Sequence, residues 1–251
     1  MVSEVSILLP AFLAGVLIFA THIPLGVEVL KRKIVFIDLA LAQIASLGIV
    51  MPLLLGRDDW LHDSPWLLQS FAMGFALLGA FLIERLRLIF ADHQEALVGT
   101  IYIVSFSLAL LIASGSVHGA EHLSRVINGQ LLWATYDQVV VLGLLAMGLF
   151  ALLRLKPNIL DTKAFYYLMA AIVVVSVQMV GVYMVFAALI IPALFNTKLK
   201  WGMPVLIILC GIALVAALMI SLIADLPTSP LIICCLLVVL MSMNLWKIMK
   251  V

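Results

Sequence analysis

The stretch SILLPAFLAGVLIFATHIPLGVEVLKRKIVFIDLALAQIASLGIVMPLLL, residues 6–55, decides the fold. It holds two apolar runs, 6–30 and 34–55, separated by the triple Lys31-Arg32-Lys33. Each run reaches the roughly 20 apolar residues that cross a hydrocarbon core about 30 Å thick. Neither run carries the polar stripe of a helix that lies half in water. Its polar residues stand singly or in pairs: Thr21, His22 and Glu28 in the first, Asp38, Gln43 and Ser46 in the second.

The rest of the chain repeats this grammar. Of its 251 residues 66% are hydrophobic and 11% charged, against about 25% charged in a soluble domain. A core of this size cannot absorb that excess, so lipid is the solvent for most of the surface. Candidate spans are 6–30, 34–55, 65–83, 96–114, 131–153, 165–180, 182–195, 203–223 and 231–245. The run 165–195 reads as two short helices broken near Gly181. With the amino terminus outside, nine crossings then leave only Arg57 and Arg125 outside, out of 14 lysines and arginines. That is the positive-inside pattern; eight crossings misplace the last two basic clusters. The expected fold class is all-α: a polytopic membrane helix bundle of eight or nine transmembrane helices, some broken, forming a single transmembrane domain over 1–251. Pro10, Pro24, Pro52 and Pro192 fall in or at the ends of spans, where each removes a backbone donor. For Pro24 and Pro192 a packing kink and a broken helix lining a path carry equal weight.

Several functions drop out. The net charge of +1 and the lack of a basic, aromatic-interleaved stripe leave no nucleic-acid surface. Cys210, Cys234 and Cys235 lie inside spans and read as small core residues. No G-x-x-x-x-G-K-[ST] phosphate loop occurs, so ATP-driven work needs a separate ATPase. His118-Gly-Ala-Glu121-His122 has the H-x-x-E-H spacing of a metalloprotease class. It follows the breaker Ser114-Gly115-Ser116 in an exposed loop, which does not suit a catalytic helix.

Polar groups within spans carry the functional weight because burying them is costly. At about 1.5 Å per residue, His22 lies about 13 Å back from Lys31 and Gln43 about 15 Å beyond Lys33. Half of the core is about 15 Å, so both reach the midplane, on spans taken as adjacent. Asp38 is close enough to Arg32 or Lys33 for a salt bridge at the inner rim, and Glu28 stands likewise to Lys31. In the outward loops, His118, Glu121 and His122 combine imidazole and carboxylate, donors suited to zinc and related divalent ions.

Three stretches in order resemble one family. They are Pro24-Leu25-Gly26 through Lys31-Arg32-Lys33 to Phe36-Ile-Asp38-Leu-Ala-Leu-Ala-Gln43-Ile-Ala-Ser-Leu-Gly48; Val180-Gly-Val-Tyr-Met-Val-Phe-Ala-Ala-Leu-Ile-Ile-Pro192-Ala193; and Ala224-Asp225-Leu-Pro-Thr-Ser-Pro230. They look like the permease subunits of zinc- and manganese-type ABC importers. The resemblance implies a multi-pass protein of the bacterial cytoplasmic (inner) membrane, paired with a second permease copy around a central path. It implies cytoplasmic ATP-binding subunits, an extracytoplasmic metal-binding protein, and zinc or manganese as cargo with no permanently bound cofactor. The path residues it implies are His22, Asp38, Gln43 and Asp225. It implies that the ATPase docks on the segment Asn196-Thr197-Lys198-Leu199-Lys200-Trp201-Gly202. The family commonly reads Gly-Asp-x-Leu-x-His in the second span; here the aspartate comes one position early, at Asp38, Leu39 takes its place and Gln43 takes the histidine's. Equal depth makes His22 a candidate replacement for that imidazole. The other reading, an ion-coupled secondary transporter, is expected to show two similar halves, and no convincing internal repeat occurs.

Overall fold

The computed structural model describes residues 2–56, 65–115, 129 and 131–248. Nine α-helices run through the described residues: α1 (Val2–Arg32), α2 (Ile37–Leu54), α3 (Pro65–Leu86), α4 (Gln94–Ala113), α5 (Tyr136–Leu155), α6 (Ala164–Val180), α7 (Val182–Leu199), α8 (Met203–Ala224) and α9 (Thr228–Ile248). Short 3-10 turns at Ala91–His93, Leu131–Trp133 and Ile159–Asp161 join some of them. Six helices are long and apolar enough to cross a membrane, and 164–180, 182–197 and 228–244 are shorter apolar helices. The chain is a helical membrane bundle.

Backbone groups inside lipid must be satisfied within the segment, which is why apolar sequence of this length becomes helix. Pro10, Pro24, Pro52 and Pro192 all sit inside continuous helices. A missing N–H costs one rung, which the flanking turns survive, so none of these helices is broken at its proline. The break comes at Gly181, with φ 81° and ψ 163°, a region that only glycine occupies without strain. The fifth span begins later than its apolar run: Thr135 caps α5 and forms a reciprocal capping box with Gln138. The residues before it form the 3-10 turn at Leu131–Trp133.

α1 packs on α7, α8 and α5, whereas α2 packs on α3, α4 and α6. The two helices therefore diverge from the turn that joins them, and α6 and α7 touch both. This corrects the expectation that the first two spans are neighbours. α2 buries 72% of its span, α4 and α5 only 22% each, so α2 is central and the others present side chains to lipid. Leu78, Leu111, Val140, Met147, Ile208 and Val238 are among the exposed apolar residues. Cys210 is buried, but Cys234 faces outward and Cys235 is half-buried, so the core reading of the cysteines holds fully only for Cys210.

At Gly26, α1 comes so close to α7 that a Cβ would collide with the Leu189 carbonyl. The contact fixes direction as well as distance. The same added Cβ would meet the Ala193 side chain at 3.1 Å; Gly26 lies near the Arg32 end of α1 and Ala193 toward the Leu199 end of α7, so these two ends share one side. α6 starts on that side, and the chain reverses at Gly181. At the opposite end the Ser229 hydroxyl donates to the Val180 carbonyl at 3.0 Å.

Candidate functional site

The buried groups that could carry chemistry are Gln43 in a cavity on α2, Asp38 on another face of that helix, His22 on α1, and Glu28 and Glu84 in a charged rim. The cavity, about 250 Å³, is lined by Phe36, Leu39 and Gln43 of α2, Tyr102 and Phe106 of α4, and Val182, Tyr183 and Phe186 of α7. The Phe36 and Phe186 rings stack with centroids 6.4 Å apart and planes 6° from parallel. The Gln43 side chain is only 3% exposed, and its Oε1 has no hydrogen-bond partner. Leu39 and Gln43 are four apart and share a helix face. Asp38, five residues before Gln43, lies about 140° around a helix of 3.6 residues per turn. It therefore points away from the cavity. It is buried, with neither carboxylate oxygen hydrogen-bonded.

His22 is fully buried on α1. Its Nδ1 lies 2.9 Å from the Ile18 carbonyl and 3.1 Å from the Thr21 hydroxyl. The carbonyl contact places the proton on Nδ1, which leaves the unpartnered Nε2 as a lone-pair acceptor. His22 does not line the Gln43 cavity, because α1 faces α7, α8 and α5 rather than α2. The imidazole does not stand beside Gln43, which corrects that expectation.

The charged rim joins three basic clusters. Arg32 donates from Nε to Glu28 at 2.8 Å and from Nη2 to the carbonyls of Leu160, at 2.5 Å, and Thr162, at 3.3 Å. Its guanidinium lies over the Phe165 ring, 4.6 Å from the centroid. Lys31 pairs with Glu28 as expected, at 3.2 Å. Lys163 reaches the buried Glu84 at 2.8 Å, and Arg87 lies over Tyr166. Clusters 31–33, 84–87 and 154–163 therefore meet at one end of the bundle, as the crossing count requires. The expected Asp38 salt bridge is absent, because Arg32 is taken up by Glu28 and by the chain leading into α6.

Asn196–Leu199 form the last turn of α7. Lys200, in the left-handed region at φ 48°, ends that helix by donating its N–H to the Asn196 carbonyl. The segment is thus a helix end and a three-residue turn on the Arg32 side. Thr197 and Lys200 are exposed, and Asn196 Oδ1 is buried without a partner; of Lys198 only the backbone is described. Asp225 is exposed at the other end, a left-handed C-cap of α8 at φ 51°. His118, Glu121 and His122 lie outside the described residues. Among those described, no group of three or more His, Cys, Asp or Glu is placed to hold a metal ion.

Sequence reasoning missed the aromatic wall. Tyr102, Phe106, Tyr183 and Phe186 read only as oily span residues, and nothing local marks them as facing Gln43. It also missed a second cavity of about 220 Å³ where α3, α5 and α6 meet, lined by Trp66, Gln69, Asp137, Gln138 and Gln178 beside Val141, Val175 and Met179.

A family model described as the ABC 3 transport family matches residues 4–160 and 151–247. Comparison with curated proteins gives no match. Among solved structures, PsaBC from Streptococcus pneumoniae in complex with Fab superposes with a TM-score of 0.70 at 14% identity, over 94% of this chain and 90% of that one. At that identity the likeness speaks for the fold.

Proposed function

The chain belongs to the ABC 3 transport family, and on that premise we propose that it is the permease of an ATP-driven importer for a divalent metal ion of the zinc or manganese class. It is a multi-pass membrane transport subunit. The family match across nearly the whole chain carries the reading, and the three motif stretches in family order support the metal class. A second copy of the chain, cytoplasmic ATP-binding subunits and an extracytoplasmic metal-binding protein complete the machine in a bacterial cytoplasmic membrane.

The geometry supplies a mechanism. α7 is one helix of 18 residues, about 27 Å long at 1.5 Å per residue. Its last turn, with Asn196, Thr197 and Lys198, is the proposed ATPase docking point, together with Lys200. Its first turns carry Tyr183 and Phe186 into the wall of the Gln43 cavity. A push at the docking turn moves that wall as a rigid lever, pivoting on the close Gly26–Leu189 contact. Gly181 supplies a flexible joint at the far end.

The test is co-purification and uptake. The tagged chain is expected to retain an ATP-hydrolysing subunit, and cells expressing both are expected to accumulate Zn, Mn or Fe only when that subunit is active. Uptake that persists with the ATPase inactivated points to the ion-coupled alternative instead.

A further inference from the structure

We propose that the charged rim at the end of α3 holds the phosphate of an anionic phospholipid between Arg85, Arg87 and Lys163, with the acyl chains lying along the exposed face of α3. The inference goes beyond the transport reading and rests only on the membrane topology.

Charge argues for it. The buried carboxylate of Glu84 is met by Lys163 Nζ at 2.8 Å and, more loosely, by Arg85 Nε at 3.7 Å. The Arg87 charge acts on the same carboxylate through space, so one anion faces three cations. The other buried carboxylate of the rim, Glu28, is already shared by Arg32 and Lys31. Among the described residues Arg87 makes no hydrogen bond. Its Nε is buried without a partner, and its guanidinium rests over the Tyr166 ring, 5.4 Å from the centroid. Arg32 stands 5.5 Å from that same centroid. A patch with surplus cations and an unused guanidinium suits an anion, and the guanidinium fork matches two phosphate oxygens. The side chains of Arg85 and Lys163 are 61% and 63% exposed, so the anion has access.

The surroundings select a lipid. Leu78, Phe81 and Leu82 are exposed on α3 and face the acyl chains. That face continues past the end of the helix. Arg85 follows Phe81 by one turn and lies over its ring, 5.1 Å from the centroid. Leu88 and Ile89 follow Phe81 and Leu82 by two turns. Leu88, Ile89 and Phe90 are all exposed, yet they are held firmly: their N–H groups donate to the carbonyls of Arg85, Leu86 and Leu86. Three consecutive large apolar side chains beside basic ones mark a membrane contact rather than a water-facing loop. At the headgroup boundary these side chains enter the acyl region while Arg85 and Arg87 reach phosphate. The cytoplasmic leaflet supplies the negative headgroups. A free phosphate would engage the cations and leave the apolar run uncovered.

The full-length chain in neutral detergent tests this, read as the rise in thermal midpoint with added lipid. Phosphatidylglycerol is expected to half-saturate at a concentration about tenfold below phosphatidylcholine of the same acyl chains. Inorganic phosphate at the same concentration should give no rise. Arg87→Gln and Arg85→Gln should each raise the half-saturating phosphatidylglycerol concentration about fivefold, the effect of one basic residue at an anionic surface. Lys156→Gln removes an exposed charge of the same end and should shift it by less than about twofold, since solvent screens distant charges. A single size-exclusion peak and an unchanged lipid-free midpoint show that a variant is folded. Arg85→Gln, at a largely exposed position, carries the test if Arg87→Gln lowers that midpoint. Equal half-saturation by the two lipids overturns the proposal, and so do equal shifts in the Arg85, Arg87 and Lys156 variants. A midpoint rise with inorganic phosphate that matches phosphatidylglycerol makes the rim a free-anion site and overturns it too. Loss of the co-purifying ATPase subunit in Arg87→Gln, with the lipid response intact, makes the rim a protein contact instead. Each of these leaves the transport reading standing.

Discussion

Single side chains decide how the two halves of this bundle are tied. Arg32 holds Glu28 four residues back and, through the same guanidinium, two carbonyls about 130 residues ahead. A lysine keeps the charge but loses the fork and the ring stacking. Arg32→Lys is expected to cost about 1.5–3 kcal/mol, the range for hydrogen bonds to charged groups, read as a lowered thermal midpoint of the purified chain. An unchanged midpoint removes the tie. Gly26 gives a sharper contrast. Gly26→Ala drives a methyl into the Leu189 backbone, whereas at Gly15 the added Cβ meets only the flexible end of Leu214. Overpacking costs about 1–3 kcal/mol, so Gly26→Ala should destabilise the chain well beyond Gly15→Ala; equal effects would contradict the close approach. The Glu28–Lys31 pair was legible because three residues separate its partners on one helix. The Arg32–Leu160 contact was not, since no local pattern points across that much chain.

At the level of elements, glycine and proline read differently. Gly181 ends one helix and starts the next because its backbone angles exclude a Cβ. Gly181→Ala is expected to cost about 1–3 kcal/mol of backbone strain. It should also lower the yield of monodisperse protein, measured by size exclusion after solubilisation; wild-type yield and midpoint would show that the reversal needs no glycine. The prolines carried an ambiguous signal, since losing one rung is consistent with both a kink and a break. The continuous helices through Pro24 and Pro192 rule out the break. The late start of α5 was legible in Thr135-x-x-Gln138, a capping-box pattern, but the apolar run upstream of it outweighed that signal in a reading based on hydropathy.

Across the whole molecule, the basic clusters on separate loops converge at one end. The topology has a direct check. In a background with Cys210, Cys234 and Cys235 replaced by alanine, Lys163→Cys and Lys200→Cys should react with a membrane-impermeant thiol reagent only from the cytoplasmic side, and Asp225→Cys only from outside. Labelling of Lys200→Cys and Asp225→Cys from the same side would undo the nine-crossing count. The divergence of α1 from α2 is also a property of this scale. Consecutive elements usually pack together; here α6 and α7 contact both, and the midplane polar residues of the first two spans face different neighbours.

The sequence by itself determined that the chain is a helical membrane bundle, where most spans begin and end, and which loops share a side. Span length, hydropathy and lysine placement act through the bilayer, a solvent with a fixed thickness and a charge asymmetry, so they can be read without knowing any contact. Only the tertiary structure decided which face of each span meets which neighbour. Between two equally oily helices, lipid gives no preference of its own, and packing of small residues and a few polar contacts selects the partner. That selection turned Asp38 away from the cavity, separated His22 from Gln43, and surrounded the glutamine with aromatic rings.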